Sequence, residues 1–211
     1  MENILELQQI CKSFPKSNFI LDKLSFSLPY GSILGFVGEN GAGKTTTIGC
    51  ILNTVRKDSG LVKLFGKEMR DIDTDIREKI GVVYDGDNFP GFWTAKQLSQ
   101  VMEGIYTQWD HALFQKYLED FHLPVKQKIK NYSRGMTMKL AIAVALSHHP
   151  QLLILDEATS GLDPIMRDEM LDVFLEFVQE ESHSILLSSH ITSDLEKVAD
   201  YITFIHNGKL I

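Results

Sequence analysis

The sequence has little cysteine, no long apolar run and fewer basic than acidic side chains. Its two cysteines, Cys11 and Cys50, lie far apart and outside any CxxC or Cys/His pattern, which argues against a disulfide framework or a cysteine-based metal site. No stretch approaches the roughly 18–20 apolar residues that span a bilayer. The first ten residues resemble neither a secretory signal nor a transit sequence. We therefore predict a protein of the reduced cytoplasm, whose membrane role, if any, depends on a partner.

The charge balance is acidic. The 211 residues carry 21 Lys and Arg against 28 Asp and Glu, a net charge of −7, whereas proteins that bind the phosphate backbone of nucleic acids are usually basic. Internal repeats, low-complexity tracts and sustained heptads are also absent from the sequence. The length suits one domain with a large core or with a modest insertion. We expect a single domain over residues 1–211 and no nucleic-acid partner.

Short β-rich runs separated by turn signals fill the first third of the chain. They cover residues 4–10, 25–28, 33–37 and 61–65. A tight turn is predicted at 29–31, and residues 22–23 are interpreted as the start of another. The alternation predicts an antiparallel arrangement for this opening part.

The rest of the chain changes character twice. Helical spacing predicts a helix at 45–52 and, after residue 88, helices at 94–106, 110–121 and 133–147. From residue 151 strands and helices alternate: strands at 152–155, 184–188 and 201–205, helices at 164–180 and 193–199, and a turn at 207–208 leading into 209–211. Continuous apolar strands are typical of a parallel sheet covered on both faces. We predict an α/β core from residues 1–87 and 150–211, with a helical insertion at 88–149.

A glycine-rich phosphate cradle occupies residues 38–45, which read GENGAGKT and match G-x-x-x-x-G-K-[ST] between a predicted strand and a predicted helix. The glycines allow the backbone N–H groups to point at phosphate oxygens, and the helix start adds positive partial charge. Lys44 is predicted to reach the β- and γ-phosphates, and Thr45 to place its hydroxyl on Mg²⁺. The predicted nucleotide-binding residues here are Gly38, Glu39, Asn40, Gly41, Ala42, Gly43, Lys44, Thr45 and Thr46.

Two adjacent carboxylates end the apolar run LLILDE at residues 152–157. Asp156, at the carboxyl edge of a buried strand, is predicted to hold Mg²⁺. Glu157 is placed to act as the general base that orients a water and accepts its proton while the γ-phosphoryl group transfers. Together with the cradle, this pair predicts a nucleoside triphosphatase.

The cradle, the Asp156–Glu157 strand and the run ATSGLDP at residues 158–164 together resemble an ATP-binding cassette (ABC) ATPase over nearly the whole chain. The family carries a signature loop similar to LSGGQ about twenty residues before the catalytic strand, where this chain has YSRGM at 132–136. The resemblance implies a P-loop NTPase fold: a mostly parallel core sheet flanked by helices, an N-terminal antiparallel β subdomain, and an inserted helical subdomain that carries the signature loop.

The resemblance also implies roles for residues outside the cradle. Ser133 and Gly135 of the signature loop would close over ATP held by a second subunit, and Asp163 would communicate between the two shared sites. His190 corresponds to the switch histidine that contacts the γ-phosphate, and Phe14 to an aromatic residue that stacks on adenine. The implied partners are a second ATPase subunit, in a homodimer or heterodimer, and membrane-spanning permease subunits at the inner face of the cell membrane.

Three positions depart from the family pattern. Asp85 stands where the family usually has glutamine, and we predict that it touches Mg²⁺ or the water, with Asp87 as the alternative. Arg134 and Met136 replace the usual Gly and Gln of the signature, a variant associated with bacterial export systems. The leading hypothesis is the ATP-hydrolysing subunit of an export-type ABC transporter. The alternatives are a soluble ABC ATPase not coupled to transport and a weakly hydrolysing regulatory module; a GTPase is disfavoured because no Asn-Lys-x-Asp motif is present.

Overall fold

Two β-sheets and the helices between them form the architecture, which the computed structural model describes for residues 2–15, 19–68, 73–86 and 88–211. Among these residues the N-terminal sheet has four antiparallel strands in the order β2-β1-β4-β5. They are β1 (Asn3–Ser13), β2 (Ile20–Pro29), β4 (Ser59–Leu64) and β5 (Lys67–Glu68). The antiparallel arrangement predicted for the strands at 4–10, 25–28 and 61–65 is confirmed.

The turn expected at residues 22–23 is wrong, because both residues lie inside β2. Lys23 adopts a left-handed backbone conformation, with φ 52°, and the pairing of β1 with β2 shifts register between Ile10 and Lys12. The left-handed conformation of Lys23 therefore forms a bulge-like irregularity within β2, and the strand continues on both sides of it. The turn predicted at 29–31 is present between β2 and the next strand.

The second sheet has six described strands in the order β10-β9-β3-β8-β7-β6. They are β3 (Ile33–Val37), β6 (Ile80–Val83), β7 (Leu152–Asp156), β8 (Ser184–Ser189), β9 (Tyr201–His206) and β10 (Lys209–Leu210). Every pairing is parallel except that of the terminal hairpin, β9 with β10. This arrangement confirms the mostly parallel core predicted from the apolar strands.

The prediction for residues 33–37 is wrong in one respect: the sequence pattern placed them in the antiparallel N-terminal region. The structure pairs β3 in parallel with β8 and β9. All five of its residues are buried, with Ile33 and Val37 in one apolar core and Leu34 and Phe36 in another. A strand covered on both faces suits the centre of a parallel sheet.

Seven described α-helices and one short 3-10 helix connect these strands. They are α1 (Lys44–Ile51), α2 (Thr74–Arg77), α3 (Ala95–Glu103), α4 (His111–Asp120), the 3-10 helix (Ile129–Asn131), α5 (Arg134–Leu146), α6 (Pro164–Phe177) and α7 (Thr192–Val198). The predicted helices are confirmed, although α3 and α6 each end three residues early. Helices α3 to α5 lie between β6 and β7 in the chain; the domain division itself stays a prediction.

Side-chain caps fix where the longer helices begin. Thr94 and Asp110 accept hydrogen bonds from backbone N–H groups at the starts of α3 and α4. Ser133 and Asp163 do the same for α5 and α6, and each cap satisfies one N–H that has no partner within its helix. In the described part of the chain, no helix is long and apolar enough to cross a membrane.

His148 is a buried polar residue two positions after the last residue of α5. Its ring stacks on Tyr106 with centroids 3.9 Å apart, and its nitrogens lie 3.2 Å from the Ile80 carbonyl oxygen and 3.4 Å from that of Val144. Burial lowers the pKa of His148, and the hydrogen bonds to the two carbonyls oppose that effect only in part. The charged imidazolium is therefore unfavourable in the folded protein.

We expect the free energy of unfolding to fall as the pH drops below about 6.5, because the unfolded chain then binds a proton that folded His148 resists. His148→Phe should weaken this dependence, since phenylalanine keeps a ring against Tyr106 and does not titrate. Urea unfolding at about pH 7.5 and about pH 5.5 measures the difference. The exposed His206→Gln is the control; an unchanged pH dependence in His148→Phe would contradict the assignment.

Candidate active site

The glycine-rich loop joins β3 to α1 and is held by close backbone packing. Gly43 has φ 119°, and a Cβ added to it would lie 2.7 Å from Leu21 Cδ2. A Cβ on Gly38 would lie 2.6 Å from the Ile205 carbonyl oxygen. Gly43 therefore requires glycine because of its positive φ, and Gly38 requires glycine because there is no space for a Cβ.

The start of α1 presents unpaired backbone donors. Gly43 precedes the helix without a side-chain cap, and within the described chain the N–H groups of Gly43, Lys44, Thr45 and Thr46 donate to no backbone carbonyl. These donors and the partial positive charge of the helix start favour an anion. The geometry fits a phosphate group at this position.

A cleft of about 610 Å³ opens over this helix start. It is lined by Phe14, Phe19, Asn40, Gly41, Gly43, Lys44, Thr45, Thr46 and Glu157. The structure thus brings six of the nine predicted cradle residues to one cavity. Gly38, Glu39 and Ala42 do not line it and lie in the loop itself, where the Ala42 N–H donates to the Glu39 carbonyl. Phe19 was missed by the sequence reasoning, because nothing local relates it to the cradle.

Phe14 lies at the cleft mouth and is 37% exposed, which leaves ring surface for stacking. The strand end that carries it is tied down by Asp58, which accepts hydrogen bonds from the hydroxyl and N–H of Ser13 and from Lys12. The bonds from Ser13, with that from Lys12, lower the pKa of Asp58 to about 2. Asp58 is therefore ionised at neutral pH and fixes the approach of Phe14 to the cleft.

Asp156 is buried at the carboxyl end of β7 with both oxygens bonded. The Thr45 hydroxyl donates to Oδ2 at 2.7 Å, and the Ser188 hydroxyl donates to Oδ1 at 2.5 Å. Thr45 and Asp156, predicted as Mg²⁺ ligands, are thus in direct contact. Ser188 was missed, although it stands opposite Asp156 in the parallel pairing of β7 with β8.

Glu157 turns out of the strand into the cleft. Its φ is 55°, a left-handed conformation that is costly for a residue other than glycine and is found at functional sites. Its N–H donates to the Ser188 carbonyl at 3.1 Å. Lys44 Nζ lies 3.0 Å from Oε1, and His190 Nδ1 lies 2.7 Å from Oε2. Lys44 and His190, both predicted to contact the γ-phosphate, therefore meet at the carboxylate of Glu157, the predicted general base.

Lys44 is almost fully buried and has several oxygen neighbours. Besides Glu157, its ammonium donates to the Gly38 carbonyl at 2.5 Å and the Glu39 carbonyl at 3.1 Å. Glu157 Oε1 is close enough for an ion pair but has no partner with hydrogen-bond geometry among the described residues. This oxygen is buried beside the ammonium, and its capacity to accept a hydrogen bond is unfilled in the described part of the chain.

Ser133, Gly135 and Asp163 lie at the starts of α5 and α6 and not along the cleft lining. Ser133 and Asp163 cap these helices, and Gly135 packs tightly beneath Met166. Their implied roles toward a second subunit stay predictions.

Asp85, predicted to touch Mg²⁺ or the water, contacts a different residue from the other two predicted metal ligands, Thr45 and Asp156. Its carboxylate accepts a hydrogen bond from Arg134 at 2.8 Å. Asp87 lies outside the described residues.

An ion pair between partly buried Arg167 and buried Asp194 links the segments that follow Glu157 and His190. Arg167 in α6 donates to the Leu162 carbonyl at 3.2 Å, and its guanidinium lies 3.6 Å from Asp194 in α7. Asp194 is 2% exposed, so the cationic partner offsets part of the cost of burying its charge. This pair is not evident from the local sequence, because its members are far apart along the chain.

Comparisons with known proteins identify the family. Residues 21–160 match the family model described as ABC transporter. The whole chain is 34% identical to the bacitracin transport ATP-binding protein BcrA of Bacillus licheniformis and covers 69% of it. It is 34% identical over 99% of its length to the lantibiotic transport ATP-binding protein SrtF of Streptococcus pyogenes, covering 89% of that protein.

Solved structures support the same conclusion. A structure described as the ATP binding subunit of an ABC transporter superposes with a TM-score of 0.87 at 25% identity, covering 98% of this chain and 88% of that one. A dimeric ATP-binding cassette bound to ADP and Pi superposes with a TM-score of 0.86 at 19% identity, covering 98% of this chain and 96% of that one, which shows the fold alone. The chain belongs to the ABC transporter family. Within it, the chain is an ATP-binding and ATP-hydrolysing subunit.

We expect Ser188→Ala to destabilise the protein by about 1–3 kcal/mol, because Asp156 loses a buried hydrogen-bond donor. Hydrolysis should also need more Mg²⁺, since loss of a group that orients a metal ligand typically costs about 10–100-fold in affinity or activity. Urea unfolding and the Mg²⁺ concentration for half-maximal ATPase activity measure the two effects. Ser189→Ala removes a neighbouring buried hydroxyl that does not touch Asp156 and is the matched control; equal effects at both positions would contradict this role.

Proposed function

We propose that the chain hydrolyses ATP to power export of a compound through membrane-spanning partner subunits. The observation that carries the proposal is the meeting of Lys44, Glu157 and His190 beside the phosphate cradle, within one cleft. The relatives BcrA and SrtF are described as transport ATP-binding proteins for bacitracin and for a lantibiotic, which supports a role in transport. Recognition of the compound then lies with the partners.

The cradle and the aromatic side chains would divide the work of binding ATP. The free N–H groups at the start of α1 and the Lys44 ammonium would hold the phosphates, while the exposed ring of Phe14 would stack on adenine. In the structure Lys44 already pairs with Glu157. The phosphates would therefore compete with that carboxylate for the ammonium.

Thr45 and Asp156 would hold Mg²⁺. A hydroxyl and a carboxylate in contact at 2.7 Å are hard oxygen donors, and Mg²⁺ is usually bound by one or two carboxylates together with phosphate oxygens and water. When bound, Mg²⁺ would neutralise charge that develops on the phosphates. Asp85 is proposed here only as the weaker candidate ligand, because Arg134 occupies its carboxylate.

Glu157 would act as the general base in hydrolysis. A water oxygen forms a bond to the γ-phosphorus, the bond from phosphorus to the β–γ bridging oxygen breaks, and ADP leaves; the water proton passes to Glu157. His190 holds Oε2 at 2.7 Å, so that the carboxylate keeps its orientation while Oε1 receives the proton. This arrangement favours hydrolysis over the regulatory-module alternative.

Dimerisation would complete each site. Ser133 and Gly135 of one subunit would close over ATP held by another, with Asp163 at the contact between them, in a homodimer or a heterodimer. Permease subunits would then couple this closure to transport, with the chain at the inner face of the membrane. The net charge of −7 does not favour a nucleic-acid partner.

The first test is Glu157→Gln. Loss of a general base typically costs about 10²–10⁴-fold in rate, so we expect ATPase activity to fall by that order while ATP binding persists and, in ATP and Mg²⁺, a dimer accumulates. ATPase assays and size-exclusion chromatography measure both. Lys44→Ala should abolish ATP binding. A fully active, monomeric Glu157→Gln protein refutes the assigned base; a wild type that neither hydrolyses ATP nor dimerises refutes the proposal.

Stacking at the cleft mouth predicts a second result. Phe14→Ala should weaken ATP binding by about 5–150-fold, because stacking of a base on an aromatic ring is worth about 1–3 kcal/mol. Phe14→Tyr keeps the ring and should bind ATP within about threefold of the wild type. Equilibrium titration with a fluorescent ATP analogue measures both variants. Unchanged affinity in Phe14→Ala would show that adenine lies elsewhere in the cleft.

A further inference from the structure

Asp85 and Arg134 form an ion pair that joins the loop after β6 to the start of α5. Arg134 Nη2 lies 2.8 Å from Asp85 Oδ1 although the residues are 49 positions apart. Their side chains are 54% and 45% exposed. These are two of the positions at which the sequence departs from the ABC pattern, and the structure shows that the departures contact each other.

Arg134 also packs against a third segment. A Cβ added to Gly161 would lie 2.7 Å from both Cζ and Nη1 of Arg134. Gly161 belongs to the loop that follows Glu157 and ends at Asp163. We call residues 158–163 the post-base loop. The guanidinium thus contacts Asp85 and also lies against the post-base loop. Because Arg134 is the first residue of α5, it connects the start of this helix to the segment directly after Glu157.

The post-base loop is held from its other end as well. Arg167 donates to the Leu162 carbonyl and is paired with buried Asp194. The loop therefore lies between two Arg–Asp pairs, one largely buried and one exposed to solvent. The exposed pair is the one that connects it to α5 and the loop after β6, so it is the contact that movement of either segment would break.

The energetics favour a role in positioning over one in stability. Exposed ion pairs typically contribute about 0–1 kcal/mol to folding. The Arg134 guanidinium, however, lies against Gly161, so its hydrogen bond from Nη2 to Asp85 Oδ1 restricts where the guanidinium lies on the post-base loop. Asp85 also differs from Asp156, whose oxygens accept bonds from Thr45 and Ser188 in the site, since the Asp85 carboxylate is directed to Arg134.

We infer that Asp85 is a positioning residue for Arg134, and that the pair fixes the post-base loop so that Glu157 is held in its hydrolytic orientation. This inference rests on the proposed function and gives Asp85 a role other than metal binding. Loss of the pair should lower kcat more than it changes KM, because it disturbs the base and leaves the cradle intact.

A double-mutant cycle tests the pair. Asp85→Asn and Arg134→Gln should each lower kcat by about three- to tenfold with little change in KM, and the double variant should be no worse than Arg134→Gln alone, as expected for coupled residues. Asp85→Glu keeps a carboxylate and should retain most of the activity. Additive losses overturn the inference. A higher Mg²⁺ requirement in Asp85→Asn that persists in the Arg134→Gln background also overturns it, because Asp85 would then act on the metal.

Hydrogen exchange of the nucleotide-free protein provides a readout that does not depend on hydrolysis. Both single variants should speed exchange in the post-base loop, and the double variant should add nothing further. The matched control is Asp168→Asn, which breaks a 2.7 Å pair with Lys197 of similar exposure between α6 and α7; it should leave kcat and loop exchange unchanged. An inactive wild type would refute the proposed function, while unchanged loop exchange in the Asp85 and Arg134 variants would refute this inference by itself.

Discussion

The buried carboxylate of Asp156 is the constraint on which the site depends. A charge removed from water is tolerated only when its oxygens are bonded, and here one bond comes from Thr45 at the start of α1 and the other from Ser188 on the neighbouring strand. The first bond fixes how α1 sits over the sheet. The second needs the parallel register that places Asp156 opposite Ser188. Sheet register and cradle position are thus tied to one side chain.

Glu157 differs from its neighbour in what surrounds it. Asp156 is held by two hydroxyl groups, whereas Glu157 lies between the ammonium of Lys44 and the imidazole of His190. The change follows from one residue in a left-handed conformation, which turns the chain away from the strand direction. Of these adjacent carboxylates, Asp156 therefore accepts a hydrogen bond at each oxygen, whereas Glu157 Oε1 accepts none from the described residues. A structural role and a reactive role follow from two consecutive positions.

Local pattern predicted the parts of the molecule that depend on neighbours in sequence. The cradle, the strand ending in Asp156 and Glu157, and the helices capped by Ser133 and Asp163 are all encoded within a few residues. Contacts between distant segments were not predictable in this way: the partnership of Ser188 with Asp156, the place of Phe19 in the cleft, and the pair of Asp85 with Arg134. The assignment of residues 33–37 to the antiparallel opening failed for the same reason, since five apolar residues do not reveal which strands will flank them.

The ion pair between Lys44 and Glu157 makes nucleotide binding an exchange of partners. Both side chains are nearly buried, so the attraction between their charges is weakly screened. An incoming phosphate group gains the ammonium only by displacing a carboxylate. It follows that a triphosphate, which carries more negative charge than a diphosphate, competes better for Lys44, and that Glu157 recovers its partner as charge leaves the cleft. Under the proposed function, the pair would act as a charge-based filter that favours the triphosphate substrate over the diphosphate product.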